Sequence, residues 1–136
     1  MTISQALRRQ IRSQAGYCCE YCRVTEDNRL STFQVDHIIP LKHGGTDDPS
    51  NLCLACLKCN SFKGSNVAGL DPATGDPTRL FDPRRQSWRD HFEIEPDGVI
   101  NGLTPEGRTT VDVLRLNDLP SLVARRVLIL TGEYPC

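Results

Sequence analysis

Asp36 and His37 stand side by side at the end of an alternating run in which Phe33, Val35 and Ile39 share one face, so one of the two polar side chains must point inward. A carboxylate and an imidazole so placed can hold a cation, move a proton, or do both. The plainer alternative is a surface strand end with both groups solvated. Against it stands the surrounding stretch from Val35 to Lys63, V-D-H-I-I-P-L-K-H-G-G-T-D-D-P-S-N-L-C-L-A-C-L-K-C-N-S-F-K, which sets the polar residues between apolar strand signals and a Cys-x-x-Cys pair. That combination suits metal-assisted hydrolysis.

Cys19-Glu20-Tyr21-Cys22 lies upstream of this pair and Cys56-Leu57-Lys58-Cys59 downstream, giving two knuckles separated by enough chain for a pair of strands. Four thiolates suit tetrahedral zinc, which binds sulfur at about 2.3 Å in a closed shell. Disulfides are the alternative for seven cysteines in 136 residues, but the odd count and the opening M-T-I-S-Q-A-L-R-R, with no apolar signal region, favour a reducing, cytoplasmic setting. A thioredoxin-like redox centre would need only one such motif. Cys19, Cys22, Cys56 and Cys59 are therefore the expected ligands of a structural Zn2+. Cys18, Cys53 and Cys136 are left over. Cys18 could compete with Cys19 but lacks the two-residue spacer to Cys22, and Cys53 alternates with Leu52 and Leu54 as a small buried hydrophobe.

In this order, D-H-I-I-P, the G-G turn, the N-L that opens a second strand and C-L-K-C-N-S-F-K resemble the HNH endonuclease family, whose core is a ββα-metal fold. The resemblance runs from Gln14 to Gly64. It implies hydrolysis of DNA phosphodiester bonds to 5′-phosphate and 3′-hydroxyl ends, with His37 as general base and Asp36 and Asn60 holding a divalent metal that acts as a Lewis acid. The third motif position is Asn60 rather than histidine. Its carbonyl oxygen is a harder donor than nitrogen, which shifts the expected catalytic metal toward Mg2+ or Mn2+, with Ni2+ a further candidate.

Asn51 closes the polar Gly-Gly-Thr-Asp-Asp-Pro loop and is read as the residue that fixes the loop carrying His37, an ordinary turn asparagine being the alternative. His43, in the same loop, is a candidate phosphate contact or a solvated histidine. Lys63 follows Asn60 by three positions, so both can project from one helical face; it is read as a phosphate contact or as a solvated lysine. With 16 basic and 17 acidic residues and a net charge of −1, the chain has no overall basic field for indiscriminate nucleic-acid binding. Local patches must supply it. The amphipathic run Ala6 to Arg12 puts Ile3, Leu7 and Ile11 on one side and Arg8, Arg9 and Arg12 off it, with Arg23 and Arg29 nearby; Arg8 and Arg12 are the candidate DNA contacts, a solvated charged face the alternative.

Beyond Gly64 the spacing of Gly69, Pro72, Gly75 and Pro77 predicts a loop over 65–82. A hairpin follows over 91–103, then a helix with Thr104 as N-cap and Pro105 at its first position, and a last helix from Leu119 or Pro120 to Leu130. Trp88 reads as a core anchor or, with Arg84, Arg85 and Arg89, as part of a nucleic-acid surface. His91 reads as a hairpin residue. No apolar run is long enough to span a bilayer.

The expected fold is α+β, a ββα-metal HNH nuclease core with structural zinc over 1–66 and a C-terminal hairpin-and-helices extension over 67–136 packed on it. The expected function is a metal-dependent endonuclease whose partner is nucleic acid, double-stranded DNA first, with no membrane association. A non-catalytic zinc-stabilised nucleic-acid-binding module, or an RNA-directed or nicking variant, is the alternative.

Overall fold

In the computed structural model, which describes residues 3–26 and 32–136, helix α1 (Gln5–Gln14) starts on Ser4, whose hydroxyl accepts the Leu7 amide at 3.1 Å. Ile11 is its fully buried residue, and the helix packs on the strand pair that follows. Arg12, expected from the sequence as a DNA contact, is held by partners within the protein. Its guanidinium donates to Glu26 Oε2 at 2.6 Å and to the Phe33 carbonyl at 2.7 Å, while the same Glu26 oxygen accepts the Phe33 amide at 2.8 Å. Arg12 is thus a strut between α1 and the chain leading into the first strand. Arg29 lies outside the described residues.

Strands β1 (Gln34–His37) and β2 (Leu52–Ala55) pair antiparallel, with Asp36 opposite Cys53 and His37 opposite Leu52. All four β2 residues are buried, as its unbroken apolar sequence requires. The chain then enters α2 (Leu57–Lys63), whose N-cap is Cys56. These three elements form the ββα unit.

The second half adds three layers of support. Ala68–Leu70 (β3) and Pro77–Arg79 (β4) form an antiparallel hairpin where the sequence predicts a loop. Strands of three residues are too short to display alternation, and the turn is held instead by Asp71, whose carboxylate accepts the Ala73 amide and a bidentate pair from Arg108. A short helix α3 (Trp88–His91) leads into β5 (Phe92–Ile94), which pairs with β6 (Ile100–Gly102). Helix α4 (Pro105–Val113) is capped by Thr104 and α5 (Leu119–Leu130) by Asp118, each side chain accepting the amide three residues on. Gly102 is demanded by contact: a Cβ there would sit 2.3 Å from the Arg108 nitrogen of α4.

One buried cluster joins both halves, running from Cys19, Tyr21, Phe33 and Leu54 to Phe81, Phe92, Ile100, Leu114 and Leu128. Trp88 stacks on Phe92 with ring centroids 4.9 Å apart and donates its indole N–H to the Tyr21 carbonyl at 2.8 Å, so it ties the extension to the first knuckle. Glu20 does the same with charge: it accepts Arg84 through both oxygens at 2.7 and 2.8 Å and the Leu54 amide at 2.8 Å. Cys18 and Cys136 are joined by a disulfide, correcting the expectation that they stand unused and weakening the argument for a reducing setting. The tail it anchors also places the Tyr134 hydroxyl on the Cys22 carbonyl at 2.7 Å.

Candidate active site

Two knuckles converge at one corner. Their four sulfurs, Cys19, Cys22, Cys56 and Cys59, lie within 4.8 Å of one another, and the Cys22 and Cys56 sulfurs are 3.8 Å apart. The edge of a tetrahedron with zinc–sulfur bonds of about 2.3 Å is about 3.8 Å. Each turn also aims an amide back at its own first sulfur, Cys22 N–H to Cys19 Sγ at 3.5 Å and Cys59 N–H to Cys56 Sγ at 3.4 Å. Cys56 therefore serves twice, as helix cap and as ligand. Hydrogen bonds from Cys19, Cys22 and Cys59 hold the Cys56 thiol far below its usual range, whereas the contact with Cys19 leads in pushing Cys22 and Cys59 up. Stabilising one anionic sulfur raises its neighbours, and only a cation lets all four ionise. The donor set, spacing and burial fit zinc.

At the opposite end of β1, Asp36 and His37 diverge, as neighbours on a strand must. Asp36 turns inward. Burial pushes its carboxyl above the usual range, with Lys63 pulling the other way. Lys63 itself is 1 % exposed; its ammonium donates to the His37 carbonyl at 2.9 Å and stands 3.1 Å from Asp36 Oδ2, at ion-pair distance but outside hydrogen-bond geometry. The expected Lys63–phosphate contact is therefore corrected: a buried ammonium needs partners within the protein, and it has taken them. Asp36 Oδ2 is left buried without a hydrogen bond.

His37 faces the loop. Its Nε2 lies 2.7 Å from Asp47 Oδ1, while Nδ1 makes no hydrogen bond among the described residues. Asp47 was missed by sequence reasoning. The T-D-D-P-S-N string held a signal: Asp48 caps the Pro49–Asn51 turn by accepting Ser50 N–H and O–H at 2.9 and 2.8 Å, which leaves the other aspartate free to turn back. Asn51 clamps the loop, accepting the Ile39 amide at 2.8 Å and donating to the Ile39 and Thr46 carbonyls at 2.9 and 2.8 Å. Only glycine fits beneath this clamp, since a Cβ on Gly45 would lie 1.7 Å from the Ile39 oxygen.

Asn60 sits on α2 one turn before Lys63, on the same helical face, and its side-chain carboxamide makes no hydrogen bond among the described residues. His43 is exposed at the end of the short Leu41–His43 turn, and Arg8 is half-buried on α1; neither side chain has an ionic or hydrogen-bonded partner among the described residues.

Residues 19–66 match the HNH endonuclease family model. Over 113 residues the chain is 30% identical to the Septu protein PtuB of Bacillus thuringiensis, the match covering 82% of this chain and 41% of that protein. The chain thus spans less than half the length of that relative. Among the described residues no helix is long and apolar enough to cross a membrane.

Proposed function

We propose that the HNH domain at residues 19–66 makes this chain a divalent-metal-dependent DNA endonuclease, with residues 67–136 as an extension that braces the zinc corner. The observation that carries the proposal is the pairing of His37, whose Nδ1 is free, with a neighbouring Asp36 whose buried oxygen lacks a hydrogen bond. His37 takes a proton from water at Nδ1, the water oxygen bonds to phosphorus, and the bond to the 3′ oxygen breaks, that oxygen taking a proton from solvent water to leave as a hydroxyl. Asp36 and Asn60 would hold the cation, Mg2+ or Mn2+ by the hardness of their oxygens. When bound, it supplies positive charge to the phosphoryl and leaving oxygens.

A second reading, a non-catalytic zinc-stabilised binding module, draws on one observation: the Lys63 ammonium already neutralises Asp36 from 3.1 Å. Plasmid DNA and a matched RNA incubated with the protein in magnesium, manganese, nickel or chelator separate the two. Cleavage of DNA should require added metal and leave 5′ phosphates, and His37→Ala should lower the rate by about two to four orders of magnitude with zinc content unchanged. Metal-independent cleavage, full activity of His37→Ala, or no cleavage under any condition would overturn the proposal.

A further inference from the structure

We infer that Asp47 is the positioning residue that sets the tautomer of His37, placing the ring proton on Nε2 and leaving the lone pair of Nδ1 to act as the base. The contact is short and oriented, with Nε2 2.7 Å from Asp47 Oδ1. An ionised carboxylate can only accept, so the nitrogen facing it must carry the hydrogen. In the neutral ring the proton then cannot also be on Nδ1, which becomes the acceptor.

The rest of the loop exists in a form that makes this contact hard to avoid. Asn51 ties Thr46, immediately before Asp47, to Ile39, two residues after His37. Asp48, immediately after it, is spent on Ser50. From behind, Lys63 fixes the His37 carbonyl at 2.9 Å. The imidazole is therefore held at its backbone by one partner and at its ring by another, and Asp47 is the partner that chooses between the two nitrogens. Its carboxylate lies on the opposite side of the ring from Nδ1 and has no need to touch the nucleic acid.

This inference rests on His37 being the base, yet its main readout does not depend on cleavage. Long-range proton–nitrogen NMR spectra of the zinc-loaded, 15N-labelled protein, with the His37 signals identified by their loss in His37→Gln, report which ring nitrogen is protonated in the neutral ring. The parental protein should show the proton on Nε2, and Asp47→Ala and Asp47→Asn should each shift population toward the Nδ1–H form while keeping zinc content and melting temperature. In a cleavage assay on a short duplex, both variants should lose about 10- to 100-fold in kcat with KM nearly constant, the usual cost of removing an orienting partner. A parental ring protonated at Nδ1, or a tautomer unchanged in both variants, would overturn the inference whether or not the protein cuts DNA. An altered tautomer with undiminished kcat would overturn the assignment of Nδ1 as the base.

Discussion

At the sulfur corner each knuckle's own backbone points an amide at its first sulfur, so a four-residue motif carries most of what its two ligands need. At the His37 end of β1 nothing is local in that sense. Asp47 holds the ring, Asn51 holds the loop beneath, and Lys63 arrives from α2 to hold the carbonyl and balance Asp36. The first centre is closed and buried, and all its charge is meant for one ion. The second keeps His37 about a quarter exposed, with an Nδ1 and an Asn60 side-chain carboxamide that have no hydrogen-bond partner among the described residues. A structural metal needs every donor satisfied by the metal; a reactive site needs some donors left over.

The contrast breaks most sharply at the cysteines. Because thiolate zinc sites supply folding free energy of about 10 kcal/mol or more, Cys19→Ser, Cys22→Ser, Cys56→Ser and Cys59→Ser should each lose zinc and cooperative unfolding. Cys53→Ala, which alters a buried sulfur outside the cluster, should retain stoichiometric zinc. Metal analysis alongside calorimetry checks both outcomes; parental protein that folds without zinc would remove the distinction between the centres.

A smaller effect is expected where Lys63 meets Asp36. Removing one member of a buried ion pair strands the other, at a cost of about 3 to 5 kcal/mol. Lys63→Met should therefore lower stability by roughly that amount in denaturant unfolding, whereas Lys63→Met combined with Asp36→Asn should recover much of it. Zinc content should stay at the parental value throughout. A Lys63→Met protein as stable as the parent would show that the ammonium, despite its burial, is not needed to compensate the carboxylate.

The same difference explains what could be read from the sequence. Zinc ligands were legible because their spacing is a local geometric requirement, and the helix at 105–113 because Thr104-Pro105 declares its start, whereas the Asp118 cap of the helix at 119–130 emerged only in the structure. The hairpin at 92–102 announced itself through Pro96-Asp97-Gly98. The hairpin at 68–79 did not, since it is fixed by Arg108, which approaches Asp71 from α4. Long side chains gave the poorest signal. Lys63 and Arg12 were read by helical face alone, but each can bend several ångströms away from that face, and each ends on a partner far off in sequence. Nor does sequence reveal that Cys136 returns to Cys18, because nothing local links two residues 118 apart.

The least costly test of the comparison uses two arginines one helical turn apart on α1. Arg12 is committed to Glu26 and Phe33, whereas Arg8 has no partner among the described residues. If α1 borders the nucleic-acid path, Arg8→Ala should weaken duplex binding modestly and reduce the slope of log affinity against log salt by about one, the signature of one lost phosphate contact. Its melting temperature should not move. Arg12→Ala should do the reverse, losing about 1 to 3 kcal/mol of stability through the broken charge-assisted hydrogen bonds while leaving the salt slope of the remaining folded protein at its parental value. Equal salt slopes for Arg8→Ala and the parent would take α1 out of any binding surface.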